Sequence, residues 1–194
     1  MRFLFLSLLL FPFLCEGQSL SYEDSLTNFQ QQYVKDHEVV TDKSKKRMNF
    51  FPVSNEYRIT TVFERKENSP WFLMNTSGTE KKQYRVYGII RFSVHDTAVH
   101  LQVYQSKSLM GSEKYKEHLF IPFTDKTSGI ETYGGGRYID LLISDIINNR
   151  YVIDFNKAYN PYCAYTTGYN CPIPPQENDL AITIYAGEKN FGKH

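Results

Sequence analysis

The chain has 194 residues, a length that fits one domain and can bury a core without metal ions or crosslinks. Its 22 basic and 21 acidic residues give a formal net charge of +1. This balance lacks the basic excess typical of nucleic-acid-binding proteins, so we expect no nucleic-acid partner. The 15 tyrosines and 14 phenylalanines favour β-structure, because flat rings pack well on a pleated surface.

The first seventeen residues have the pattern of a secretory signal peptide. A positively charged start precedes the apolar run Phe3–Leu14, which is too short to cross a bilayer of about 30 Å as a helix. Cys15 and Gly17 suit the −3 and −1 positions of a cleavage site, so we predict a mature chain that begins at Gln18. The alternatives are a buried core helix and a lipid anchor on Cys15. We expect an exported protein, periplasmic or extracellular, with no membrane span in the mature chain.

A helix over about residues 21–37 is predicted next. Ser21 followed by an acid at Asp24 reads as a capping box. The following apolar residues recur at helical spacing and form one face, made of Tyr22, Leu26, Phe29 and Tyr33. The lysine-rich stretch 42–47 is interpreted as a solvated connector.

From about residue 51 the apolar period changes to two, which predicts β-strands in a body over residues 51–194. The strands are predicted at residues 57–63, Trp71–Met74, 84–94, 99–103, Leu119–Phe123, Arg137–Ile143, Tyr151–Phe155 and Leu180–Ala186, with a tight turn at 95–97. We therefore expect a single, mainly β mature domain, residues 18–194. It would be a β-barrel or β-sandwich with an N-terminal amphipathic helix and a long irregular C-terminal loop.

Cys163 and Cys171 are the two cysteines of the predicted mature chain. In an oxidising compartment a disulfide between them is the default expectation. A metal site is the alternative, but the pair has no CxxC spacing and no nearby histidine. We expect no metal and no cofactor.

The last third contains three unusual segments, TYGGGRYID at 132–140, DFNKAYNPYCAY at 154–165 and CPIPPQEN at 171–178. Together with FIPFTD at 120–125, TSG at 127–129 and AGEK at 186–189, they resemble a bacterial family known as domain of unknown function 1684. The resemblance extends over essentially the whole mature chain, including the N-terminal helix and the strand at 84–92. It implies domain boundaries and draws attention to the last third, and it implies no reaction.

The glycines 134–136 fit neither a Walker loop nor a dinucleotide fingerprint. One interpretation is that they supply a positive φ or a bulge at a strand corner. The other is that their backbone N–H groups, beside Arg137, bind an anion. We expect Arg137 either to pair with Asp140 or Asp154 or to stay ready for a ligand.

Asp154, Asn156 and Asn160 superficially suggest a calcium loop, but the required glycine is replaced by Tyr159, so we reject an EF-hand. Asn and Asp here more simply fix a long loop over residues 156–179. Further restraint would come from Pro161, Pro172, Pro174, Pro175 and the disulfide. The loop tyrosines could stack on a sugar or pack the loop onto the sheet; they are Tyr159, Tyr162, Tyr165 and Tyr169.

Three classes of function remain open. The leading hypothesis is a non-catalytic binding domain for a small polar or anionic ligand, with ligand-binding candidates Arg137, Asp140, Asp154, Asn156, Tyr159, Asn160, Glu177 and Asn178. The first alternative is a hydrolase that uses Asp154 or Glu177 as general acid or base. The second is a structural envelope protein whose loop docks a protein partner. The sequence contains no G-x-S-x-G or H-E-x-x-H motif, and His118 is interpreted as a strand-end residue rather than a base.

Overall fold

The computed structural model describes residues 21–192, so the predicted signal peptide, the start at Gln18 and the lipid anchor on Cys15 lie outside the described residues. Within that range the helices are α1 (Tyr22–Asp36), α2 (Asp42–Lys45) and α3 (Lys107–Met110). The strands are β1 (Arg58–Arg65), β2 (Phe72–Met74), β3 (Lys82–Val94), β4 (Thr97–Ser106), β5 (His118–Phe123), β6 (Arg137–Leu142) and β7 (Arg150–Asp154). Short 3-10 helices lie at Asn55–Tyr57, Ile143–Asp145, Phe155–Lys157, Tyr162–Ala164 and Gln176–Asn178.

All seven strands join one antiparallel sheet, which curls strongly into a half-barrel. The strand order is β6-β5-β4-β3-β1-β7, and the short β2 pairs with the start of β3. The prediction of a mainly β fold is confirmed. None of the helices in residues 21–192 is long and apolar enough to pass through a membrane.

The β3–β4 hairpin shows why these residues form a tight turn. Val94 pairs with Thr97, which leaves His95 and Asp96 as the two turn residues, with φ of 44° and 63°. Two successive positive φ values match the right-handed twist of the flanking strands. The turn predicted at 95–97 is therefore present.

Alternating side chains build a hydrophobic cluster on each face of β5 and β6. The larger cluster includes Leu119, Ile121, Phe123, Ile139, Leu141, Ile153, Phe155 and Ile184. The smaller cluster lies on the opposite face and consists of Met74, Tyr84, Tyr104, Phe120 and Tyr138. Each large apolar side chain that is fully buried contributes about 1.5–3 kcal/mol, so the larger cluster carries most of the stability. The second face, with Tyr138 and the neighbouring Asp140, borders the candidate site.

The predicted strand Leu180–Ala186 is wrong, because this segment has no strand partner in the structure. Its apolar side chains are buried as in a strand. Two of its backbone carbonyls, at Ile184 and Ala186, instead accept hydrogen bonds from the Arg137 guanidinium. The start of the segment bonds the backbone that follows β5, through the Leu180 N–H to the Thr124 carbonyl and the Lys126 N–H to the Ile182 carbonyl. Its end is held by the side chain of Arg137.

Helix α1 occupies the predicted 21–37 region and is capped as expected, since the Ser21 hydroxyl accepts the Asp24 N–H at 3.1 Å. Leu26 is its buried residue. Its first turn is fixed by polar contacts at the end of β7, where the Tyr22 hydroxyl lies 2.9 Å from both oxygens of Asp154. The helix is therefore attached both by hydrogen bonds and by the packing of Leu26 and Tyr33.

Candidate functional site

A groove of about 860 Å³ lies between α1, β6 and the loop that contains the two cysteines. We call residues 159–172 the disulfide loop. The aromatic side chains on the walls are Phe29, Tyr33, Tyr138, Tyr159, Tyr162 and Tyr169. The charged side chains are the acids Asp36, Glu38 and Asp140 and the bases Lys82 and Lys157. Mostly apolar walls with a few polar groups are the usual composition of a small-molecule site.

The α1 wall follows from helical spacing. Phe29 and Tyr33 are four residues apart and therefore lie on one face of the helix. The Tyr33 ring centroid lies 6.1 Å from that of Tyr159, at an interplanar angle of 48°. Tyr159 in turn packs edge-on against Tyr138 of β6, with centroids 5.8 Å apart. Aromatic packing thus extends from α1 through Tyr159 to β6.

Asp140 is the polar centre of the β6 wall. Its Oδ1 lies 3.2 Å from His118 Nε2 on β5, and its Oδ2 accepts the Tyr159 hydroxyl at 2.8 Å. Burial, followed by the charge of Asp140, raises the pKa of Tyr159 well above its usual value, so this hydroxyl stays a donor. The Asp140 side chain is still 46% exposed. A carboxylate can accept about four hydrogen bonds, so lone pairs remain for a ligand.

The disulfide loop forms the third wall. The predicted Cys163–Cys171 disulfide is present. Ser77 anchors it to the body, because its hydroxyl lies 2.9 Å from Cys163 Sγ and accepts the Cys171 N–H at 3.1 Å. The bridge holds the rings of Tyr162 and Tyr169 against each other, with centroids 5.1 Å apart.

A buried carboxylate joins two of these walls. Glu188 is fully buried, and Tyr165 of the disulfide loop donates to its two oxygens at 2.6 and 2.7 Å. Tyr33 of α1 donates at 3.5 Å and the Asn160 N–H at 2.9 Å. Burial raises the pKa of Glu188 to about 7, although these hydrogen bonds act in the opposite direction.

His37 lies beside this group at the end of α1 and also lines the groove. Its Nδ1 accepts the Val40 N–H at 3.2 Å, so a neutral ring carries its proton on Nε2. Burial, with a smaller contribution from Lys45, lowers the pKa of His37, which keeps the ring neutral. Its ring packs on Tyr165 with centroids 4.5 Å apart.

Arg137 lies in the interior and not at the groove. Its Nη2 is 3.3 Å from Asp125 Oδ2, and both side chains are essentially inaccessible to solvent. The expected pairing with Asp140 or Asp154 is therefore wrong. On β6 residue 137 points to the opposite face from residues 138 and 140. Burial lowers the pKa of Arg137 to about 10, which leaves it charged at neutral pH.

The glycines before Arg137 have a structural role in the backbone conformation. Gly136 has φ of +86°, a conformation that side chains disfavour. A Cβ atom there would lie 2.6 Å from the Phe123 carbonyl oxygen and 2.6 Å from the Pro174 ring. Because the adjacent guanidinium is directed inward, the geometry supports the strand-corner interpretation of these glycines over an anion-binding one.

Asp154 and Asn156 form a structural junction. Besides the Tyr22 hydroxyl, Asp154 accepts the backbone N–H of Asn156 at 3.1 Å. The Asn156 amide donates to the Ser54 carbonyl at 2.8 Å and accepts the Ser54 N–H at 3.0 Å. Both side chains are buried, so they join α1, the segment before β1 and the end of β7, and do not line the groove.

The other two asparagines fix loops in the same way. The Asn178 amide donates to the carbonyls of Gln102 and Pro122 at 2.9 and 2.7 Å, and its oxygen accepts the Gln102 N–H at 2.7 Å. Asn160 donates its amide to the Lys189 carbonyl at 2.8 Å. The Asn178 amide is thus satisfied within the protein, whereas the Asn160 Oδ1 atom is buried with no hydrogen-bond partner among the described residues.

The predicted acid pair is not assembled. Asp154 is buried at the α1 junction, whereas Glu177 is exposed in the 3-10 helix next to Asn178. Neither lines the groove. The geometry gives no support to the hydrolase alternative that depends on them.

Of the eight candidate residues, the structure brings Asp140 and Tyr159 to the groove. Tyr162 and Tyr169 join them, while Tyr165 lies behind the wall on Glu188. Sequence reasoning missed several functional neighbours, namely Phe29, Tyr33, His37, His118 and Glu188. For Phe29 and Tyr33 a signal existed, because they lay on the predicted helix face.

The chain was compared with known proteins. Residues 43–189 match the family model described as "Protein of unknown function (DUF1684)". The match begins after α1, so the helix that provides one groove wall precedes it. The solution NMR structure of an uncharacterized protein from Haloarcula marismortui is 24% identical with a TM-score of 0.68, covering 89% of this chain and 96% of that one. That similarity concerns the fold. No curated protein matches the chain.

Proposed function

The chain belongs to the DUF1684 family of proteins of unknown function, and we propose that it is a non-catalytic binding protein for a small, hydroxyl-bearing ligand with an apolar ring face, as sugars have. The observation that carries the proposal is the groove itself, where aromatic rings surround a half-exposed, pre-oriented carboxylate. The rings offer flat apolar surface, and Asp140 offers an acceptor whose direction is already fixed by His118 and Tyr159.

The charges around the groove favour a neutral ligand. Its three acidic and two basic side chains nearly balance. Arg137, the cation expected to bind an anion, lies in the interior, where its two Nη atoms bond Asp125 and backbone carbonyls. We therefore propose that polar recognition depends mainly on hydrogen bonds to hydroxyl groups, with Lys82 and Lys157 as the cations of the groove wall.

We include export in the proposal. A disulfide persists in oxidising compartments outside the cytoplasm, and the Cys163–Cys171 bridge supports a wall of the groove. A binding protein at the cell surface or in the periplasm meets sugars directly. The predicted signal peptide at residues 1–17 supports the same location.

The test is a binding titration with glucose, galactose, N-acetylglucosamine and cellobiose, followed by calorimetry or by NMR shifts of groove residues. We expect at least one of these sugars to bind. Tyr169→Ala should weaken it about 3- to 10-fold, since one aromatic contact is worth about 0.5–1.5 kcal/mol. Asp140→Asn should also weaken binding, because the amide replaces one acceptor oxygen by a donor.

Tyr115→Ala is the matched control. Tyr115 is 41% exposed and Tyr169 40%, but Tyr115 does not line the groove. The control should bind the sugar as the unchanged protein does. Binding by none of the four sugars, or an equal loss in both tyrosine variants, would overturn the proposal.

A further inference from the structure

Glu188 is a fully buried carboxylate that is bonded only by neutral donors, the hydroxyls of Tyr33 and Tyr165 and the N–H of Asn160. Among residues 21–192, no Lys, Arg or His side chain reaches ion-pair distance of it. We call Glu188, Tyr33, Tyr165 and Asn160 the Glu188 cluster. An ionised carboxylate without a cation is costly to bury. Such a group therefore tends either to take up a proton or to become hydrated.

The cluster joins two walls of the groove. Tyr33 belongs to α1, and Asn160 and Tyr165 belong to the disulfide loop. Tyr33 is also a wall residue, whose ring faces that of Tyr159. A change at Glu188 therefore acts on the groove through Tyr33, although Glu188 itself does not line it.

Helix α1 is the wall whose attachment includes Glu188. Leu26 is its buried residue, and the Tyr33 ring packs on Phe50 and Tyr159. Hydrogen bonds attach the helix at one end to Asp154 and at the other to Glu188. The Tyr33–Glu188 bond is the longest in the cluster, at 3.5 Å. Displacing α1 breaks this bond, uncovers Glu188 and widens the groove at the same time.

We propose that Glu188 is a positioning residue for the groove: when protonated it keeps α1 closed on the disulfide loop, and when ionised it favours displacement of α1 and entry of water. The proposal deepens the proposed function by naming how access to the groove is regulated. It rests on the proposed function only in taking the opening of the groove to admit a ligand. The movement of α1 itself is measured without a ligand.

The tyrosines and the arginine around Glu188 agree with this direction. His37, whose ring packs on Tyr33 and Tyr165, acts against it at low pH, because burial lowers its pKa and it gains charge as the pH falls. Tyr33 and Tyr165 have strongly raised pKa values because they are buried and because Glu188 is near, so they remain neutral. Arg137 bonds the backbone carbonyl of Glu188 at 3.4 Å, but its charge is already paired with Asp125. Burial raises the pKa of Glu188 itself to about 7, so the titration falls in an accessible range.

The experiment is hydrogen–deuterium exchange of the full mature chain between pH 4.5 and 8.5, comparing protection factors for peptides in α1 and in β3. The closed state binds the proton more tightly than an open, hydrated one. The opening of α1 should therefore increase from pH 4.5 to about 7 and level off above it. Over that window α1 should lose protection by roughly a hundredfold while β3 changes little.

Two variants separate this mechanism from general loosening. Glu188→Gln should keep α1 protected at every pH, because its amide cannot ionise. Tyr22→Phe removes the other attachment of α1, to Asp154, so it should lower protection at every pH and leave the pH dependence intact.

The proposal fails if α1 protection in the unchanged protein does not depend on pH, or if Glu188→Gln retains the dependence. Should that variant not fold, the NMR titration of the Glu188 carboxyl carbon replaces it. Its midpoint must coincide with the pH at which α1 protection levels off. If no sugar binds but α1 protection still depends on pH through Glu188, the proposed function is wrong and the role of Glu188 stands.

Discussion

Replacing Arg137 by methionine should destabilise the protein strongly, because methionine keeps much of the packing and deletes the charge. Four contacts are lost: one to Asp125 Oδ2 at 3.3 Å and three to the carbonyls of Ile184 at 3.1 Å, Ala186, and Glu188 at 3.4 Å. Removing one partner of a buried ion pair costs about 3–5 kcal/mol. The carbonyls left without a donor add to this cost.

Part of that cost is offset at Asp125. Its carboxylate also accepts the Ile184 N–H at 2.7 Å and the Thr127 hydroxyl at 2.7 Å. We therefore expect a loss of about 4 kcal/mol in the free energy of unfolding. In a domain of this size that corresponds to a melting temperature lower by about 8–16 °C.

Urea unfolding followed by circular dichroism measures this loss, and Arg150→Met provides the control because Arg150 is exposed on β7. The double variant with Asp125→Asn should be more stable than the sum of the two single losses predicts, since neither charge is then left alone. The reasoning is refuted if Arg137→Met costs less than about 1 kcal/mol, or no more than Arg150→Met.

Two further changes should have measurable effects on stability. The pKa of Glu188 rises from 4.5 to about 7 on folding, so the folded state binds this proton more tightly than the unfolded chain. The proton's contribution to the free energy of unfolding is complete below pH 4.5. About 3 kcal/mol of it is lost as the pH rises to 7. Glu188→Gln should remove that loss, as urea unfolding at pH 5 and pH 8 will reveal; an equal difference in both proteins contradicts it. Reducing the Cys163–Cys171 bridge should lower the free energy of unfolding by about 2.5 kcal/mol in the chain-entropy model. Unfolding with and without reductant measures this, and an unchanged midpoint would count against it.

The strands could be predicted because alternating burial leaves a period of two in the sequence. The same pattern misled at Leu180–Ala186, because periodicity reports which side chains are buried and not which groups bond the backbone. In the second half of that segment the partner is the side chain of Arg137, some 47 residues earlier for the contact to Ile184. Nothing local in the sequence distinguishes that partner from a neighbouring strand.

The groove was harder to predict because its walls are distant in sequence. Tyr33 and Tyr165 meet although 132 residues separate them. His118 reaches Asp140 only because strand register pairs Phe120 with Asp140. Asparagines mislead for another reason: a residue that binds a ligand and one that fixes a loop, as Asn178 does, have the same side chain.

The bonding of Arg137 also has a consequence for the order of folding. A guanidinium does not lose its proton under ordinary conditions, so the core cannot become dry around it until carbonyls and a carboxylate are in place. Asp125 lies near in sequence, but the carbonyls of Ile184 and Ala186 come from almost fifty residues later. Contacts of such long sequence separation form slowly. The interior around β6 can therefore become fully packed only after the last part of the described chain has docked. In a polypeptide truncated before residue 184, the buried Arg137 charge would have too few hydrogen-bond partners.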